Sequence, residues 1–142
     1  MRRSSILFTL MSTWIMLLAL SSPAQAQSKG PGRQIILLGA RWCAPCMAEW
    51  RNLPRLAAML APDRIVLAWV DRPIPVPVTL APQVSAIPAA EAQALAVKYG
   101  GQGFGLPMAT LIDGRGEACP VWRRPLRPED VGDFYRTCQE RR

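Results

Sequence analysis

Residues 33–50 read RQIILLGARWCAPCMAEW. The first eight form a short, continuous apolar run with β-branched residues, the pattern of a strand buried on both faces. From Pro45 onward the apolar period changes to that of a helix: Met47, Trp50, Leu53, Leu56, Ala57 and Leu60 recur at helical spacing up to position 60. Pro54 falls inside this predicted helix and should bend it, because proline removes a backbone donor and crowds the preceding turn. Cys43 and Cys46 therefore stand where a strand hands over to a helix. In open α/β sheets that end of the strands is where chemistry gathers.

Working outward, APDR (61–64) ends the helix and IVLAWV (65–70) reads as a second buried strand. Strand, helix and strand so close together make a βαβ unit, with a parallel sheet and a right-handed crossover. Residues 72–88 carry Pro73, Pro75, Pro77, Pro82 and Pro88, which exclude a helix or a central strand. An extended surface segment with an edge strand at PVTL (77–80) is expected there. AAEAQALAVKYG (89–100) reads as a helix, MATLID (108–113) as a third strand, and GRG as a tight turn. EACPVWRR (117–124) is predicted to be a fourth strand, antiparallel to the third. Residues 127–142 close the chain as an amphipathic helix with Val131, Phe134, Tyr135 and Cys138 on one face. The fold class is α/β, a mixed sheet of four to five strands flanked by helices, in the order β-α-β-extended-α-β-β-α.

The N-terminus has the layout of an export signal. Arg2 and Arg3 precede a nearly continuous apolar run from Ile6 to Leu20, and Ala24-Gln25-Ala26 satisfies the small-x-small rule for cleavage. This divides the chain into a signal peptide, 1–26, and a single domain, 27–142, with the periplasm as destination. The competing reading is an uncleaved anchor, which would give loose membrane association. Residues 27–142 hold 15 basic and 10 acidic residues, a net charge of +5. The basic residues form no long run and do not alternate with aromatics, so nucleic-acid binding is not expected. The chain has no histidine. That excludes Ser-His-Asp and Cys-His catalysis and histidine metal sites.

A thiolate, not a thiol, attacks a disulfide. A helix N-terminus favours the anion through unpaired N–H groups and the helix dipole. Cys43 sits at that position as the exposed attacking thiol, and Arg41 would add positive potential if its side chain turned inward. Cys46, one turn on and less accessible, is the resolving thiol. Trp42 forms an apolar rim beside the sulfurs.

WCAPC resembles the active-site motif of the thioredoxin superfamily, and GFGLPMATLIDGRGE (103–117) resembles that family's cis-proline loop, strand and turn. The resemblance runs from about residue 33 to 138. It implies a thioredoxin fold, a cis Leu106-Pro107 bond facing the cysteines, and substrate binding by Leu106 and Pro107. Cytoplasmic members carry a buried Asp six residues before the first cysteine, where this chain has Leu37. Here Glu49 stands three residues after Cys46, so WCAPCMAEW resembles the TlpA-like periplasmic thioredoxins, including the cytochrome-c-maturation type. In that group the glutamate serves proton traffic at the active site. The catalytic set implied is Cys43, Cys46 and Glu49; a solvated surface position is the other reading of Glu49.

The implied activity is thiol–disulfide exchange with protein substrates, as reductant rather than oxidant because the intervening dipeptide lacks the histidine of strongly oxidising relatives. No cofactor and no metal are implied, but a membrane electron donor is. Two alternatives stay open: a binding module or copper chaperone without turnover, and a dedicated disulfide catalyst of a secretion or conjugation assembly. Cys119 and Cys138 are read as a structural disulfide, with two free thiols or a second redox pair as the alternatives.

Overall fold

The computed structural model describes residues 32–140; the predicted export signal and the question of its cleavage lie outside the described residues. Four strands form one sheet: β1 (Gln34–Gly39), β2 (Arg64–Trp69), β3 (Val84–Ala86) and β4 (Met108–Ile112), in the spatial order β3-β2-β1-β4. β1 pairs in parallel with β2, β2 in parallel with β3, and β4 runs antiparallel to β1. The two central strands are covered on both faces. Ile35, Leu38, Ile65 and Ala68 have no exposed surface, which accounts for their unbroken apolar sequence. α3 (Ala89–Gly100) packs on β2, and α4 (Val131–Gln139) packs on α2 (Leu53–Leu60). Val131 and Phe134 bury the inner face of α4, with Tyr135 and Cys138 packed at its margin.

Four predicted elements differ from those observed. The helix expected over 45–60 is two helices, α1 (Ala44–Arg51) and α2, separated at Asn52, whose ψ of −2° leaves the helical range. Pro54 thus lies in the first turn of α2, where a missing N–H costs nothing. The predicted strand at 117–124 reduces to two isolated bridges, Ile112 with Ala118 and Ala109 with Trp122. Pro120 has no N–H to continue a ladder between them. PVTL is not an edge strand: Val78–Leu80 form one 3-10 turn, and the edge strand β3 lies a few residues later. The terminal helix predicted from 127 starts with a separate 3-10 turn, Pro128–Asp130, before α4.

At the N-terminal end of β1 the buried carboxylate of Asp63 joins three parts of the chain. It accepts from Tyr135 Oη at 2.6 Å and from Arg33 Nε at 3.0 Å. Burial, and then the Asp63 carboxylate, push the Tyr135 phenol above its ordinary range. The same end carries a Cys119–Cys138 disulfide, Cα–Cα 4.9 Å, which ties α4 to the segment after β4. Closing a loop of 19 residues should stabilise the fold by about 3 kcal/mol. Cys119→Ala/Cys138→Ala is therefore expected to lower the urea midpoint, and an unchanged midpoint would remove the structural role of this bridge.

Candidate active site

β1 ends at Gly39, and after three intervening residues the chain reaches the N-terminus of α1. Cys43 is the N-cap of α1, with φ −85° and ψ 101°. Its Sγ takes the place that a Ser or Asp oxygen usually fills, accepting from Cys46 N at 3.2 Å. Pro45 stands in the first turn, where no acidic side chain offsets the helix dipole. Cys43 and Cys46 are joined as a disulfide, Cα–Cα 5.2 Å. The close approach of β1 to this helix depends on Gly39, since a Cβ there would lie 3.1 Å from Cys46 Cβ.

The two sulfurs differ less than the sequence suggests. Cys43 is 5% exposed and Cys46 2%, so the expected exposed thiol is in fact buried in the disulfide form. The exposed member of the motif is Trp42, at 72%. Arg41 does not turn inward. Its backbone N donates to Asp71 Oδ2 at 2.9 Å, and its Nη2 donates to the Pro73 carbonyl at 3.3 Å, which ties the segment after β2 to the approach to Cys43.

Glu49 is 7% exposed, which excludes a solvated surface position. It lines a small cavity together with Cys46, Leu37, Leu67, Trp69 and Leu53. The room for water centres there is about 10 Å³, the lower limit for one water molecule. Glu49 Oε1 accepts from Leu126 N at 2.7 Å. Burial pushes the carboxyl up to about 8, although the Leu126 hydrogen bond opposes the shift. Leu37 and Glu49 therefore border one space behind Cys46, and a carboxyl group reaches that space from the helix. The Leu126 N–H is a component that sequence reasoning missed. A backbone donor carries no side-chain signature, and Leu126 is distant from Glu49 in sequence.

The Leu106–Pro107 peptide bond is cis, with Pro107 buried and Leu106 partly so. Leu38 is the register partner of Met108. The cis bond thus lies just beyond the ladder, at the end of β1 from which Cys43 follows. Cys119 and Cys138 are not brought to this site. Cys119 N bonds to Leu111 O, towards the other end of β4, and Cys138 lines a separate cavity with Arg33 and Asp113.

No protein-family model matches the chain, and no curated protein does. Solved structures do resemble it. A thioredoxin-related protein from Neisseria meningitidis serogroup B aligns with a TM-score of 0.51 at 16% identity, over 83% of this chain and 93% of that one. A thiol:disulfide interchange protein of the thioredoxin family from Chlorobium tepidum TLS gives 0.52 at 18% identity, over 78% and 82%. An exposed lipoprotein thioredoxin from Streptococcus pneumoniae strain TIGR4 gives 0.51 at 15% identity, over 79% and 87%. The sheet order, the disulfide at the start of α1 and these alignments agree on one architecture: residues 32–140 have the thioredoxin fold.

Proposed function

We propose that this chain is a periplasmic protein thiol–disulfide oxidoreductase of the TlpA-like kind, working as a reductant. The observation that carries the reading is the Cys43–Cys46 disulfide at the N-terminus of α1, with buried Glu49 bordering the same cavity as Cys46. In the dithiol form, the Cys43 thiolate attacks one sulfur of a substrate disulfide. That S–S bond breaks, the leaving thiolate takes a proton, and a mixed disulfide to Cys43 remains. The Glu49 carboxylate accepts the Cys46 proton through the cavity. The Cys46 thiolate then attacks Cys43 Sγ, the bond from Cys43 to the substrate breaks, and the second substrate sulfur leaves as a thiolate that takes up the proton held by Glu49 as the Cys43–Cys46 disulfide closes. Two electrons have passed from the dithiol to the substrate.

A group titrating near 8 suits this role, because the efficiency of proton transfer is greatest when the acid and base are matched to each other and to the working pH. The cis Leu106–Pro107 bond, at the same end of β1, offers backbone to an extended substrate, with Trp42 as an apolar rim. Reduction as the direction rests on the Ala44-Pro45 dipeptide, which carries no histidine. A membrane-bound dithiol donor would recharge the pair and itself become a disulfide. Export rests on the signal-like residues 1–26. Among the described residues no helix is long and apolar enough to cross a membrane.

Reduction of insulin with dithiothreitol as the regenerating thiol, together with the equilibrium potential of the Cys43–Cys46 pair, tests the proposal. Catalysis with a potential near thioredoxin's, about −270 mV, is expected; a value near about −120 mV would reverse the direction, and no catalysis would remove the enzyme reading.

A further inference from the structure

The basic residues look scattered in the sequence, but the fold gathers several of them at one end of the sheet. Arg41 immediately precedes Trp42 and Cys43. Arg72 follows the end of β2, whose last residue, Trp69, is in register with Gly39. The backbones at the two positions are held together by one carboxylate: Asp71 accepts from Arg41 N through Oδ2 at 2.9 Å and from Arg72 N through Oδ1 at 2.7 Å. Both arginines are exposed.

Across β1, the segment after β4 runs back antiparallel to it, from Ala118 opposite Ile112 to Trp122 opposite Ala109. Arg123 and Arg124 therefore emerge beside the cis Leu106–Pro107 bond. Arg124 lies over the Trp122 ring at 4.3 Å and pairs with Asp130 at 3.1 Å. Arg123 is exposed. Among the described residues, Arg41, Arg72 and Arg123 make no ion pair with an acidic side chain.

The acidic groups near this end offset only part of that charge. Asp71, held between two backbone N–H groups, offsets one of these three positive charges and leaves an excess of two, Asp130 is paired with Arg124, and Glu91 lies in the first turn of α3, next to the β3 edge. We infer that Arg41, Arg72 and Arg123 form a positive rim around the Cys43–Cys46 disulfide that selects protein substrates whose cystine is flanked by acidic residues. The inference rests on the exchange activity proposed above and adds the substrate class. Charge of one sign around a reactive site raises the encounter rate of oppositely charged partners, and salt screens the effect.

The test compares two disulfide-bridged peptides of equal length, one with Glu and one with Lys flanking the cystine, with uncharged dithiothreitol as regenerating thiol. At low ionic strength kcat/KM should favour the acidic peptide by about tenfold. The preference should fade at about 1 M salt, where the screening length is about 3 Å. Arg41→Gln/Arg72→Gln/Arg123→Gln should remove most of the preference. The charge-matched variant Arg64→Gln/Arg115→Gln/Arg136→Gln, altered away from the Cys43 end, should retain it, with circular dichroism checking the fold of both. Equal rates on the two peptides would overturn the rim while leaving the exchange activity in place. A preference lost equally in both variants would overturn it too, since net charge alone would then explain selection. Failure to reduce either peptide would instead remove the exchange activity on which the inference rests.

Discussion

Cys46→Ser is expected to stop turnover after the first half of the reaction and to hold the substrate on Cys43 as a mixed disulfide. With the resolving thiol gone, no group on α1 can attack Cys43 Sγ. The adduct then persists until an external thiol reaches a sulfur that is 5% exposed even without substrate. Cys43→Ser should behave differently. It removes the attacking thiolate at the helix N-cap, so no adduct should form. Both variants should lose insulin-reducing activity by more than about a thousandfold, the scale seen when a nucleophile essential to the mechanism is removed. Activity alone does not separate them, whereas mass spectrometry of the trapped species under non-reducing conditions does. An adduct in Cys43→Ser and none in Cys46→Ser would reverse the assigned roles. An adduct in neither would leave the disulfide as a staple.

The fold was legible wherever apolar periodicity was long and punctuated. The region predicted as α3 has the observed bounds, because Pro88 and Gly101 flank an uninterrupted helix-forming run. β1 and β2 differ from their predicted ranges by one residue at each end, since continuous apolar runs bounded by polar residues leave little choice. The break at Asn52 was not legible, because Leu53, Leu56, Ala57 and Leu60 continue the apolar period of α1 across it. β3 is only three residues long, too short for an alternation to stand out within a proline-rich stretch. The segment after β4 looked like a strand because its composition suits one. Its pairing is limited to two bridges by Pro120, and the freed chain then carries Leu126 N to Glu49. At the site, cysteine spacing placed the sulfurs correctly on one turn, while the burial of Cys46 comes from its packing beside Gly39 and Trp69, which spacing does not show. Whether Glu49 was buried could not be read locally. Its neighbours Ala48 and Arg51 are exposed, and Leu126 arrives from the other end of the domain.

Glu49→Gln should separate the role of this residue as a proton carrier from its role in packing. Gln is nearly isosteric and keeps an oxygen for the Leu126 N–H, so the variant should fold. In the wild-type oxidised protein the carboxyl titrates near 8 when folded and near 4.5 when unfolded. Between those values the folded state binds the extra proton. Stability is therefore fully present below about pH 4.5 and is lost as pH rises through about 8. The full shift corresponds to about 5 kcal/mol, an upper figure, because relaxation and water entry would soften it. Urea unfolding at pH 5, 7 and 9 should show wild type losing a few kcal/mol relative to Glu49→Gln across that range. The variant should also be slower in reduction by about a hundredfold, and should lack the limb of the pH–rate profile that Glu49 supplies. The two readouts discriminate between causes. A parallel pH dependence of stability in both proteins would show that Glu49 does not carry the buried titration. A stability difference without any change in the pH–rate profile would make Glu49 a buried structural acid and leave the resolving proton to water.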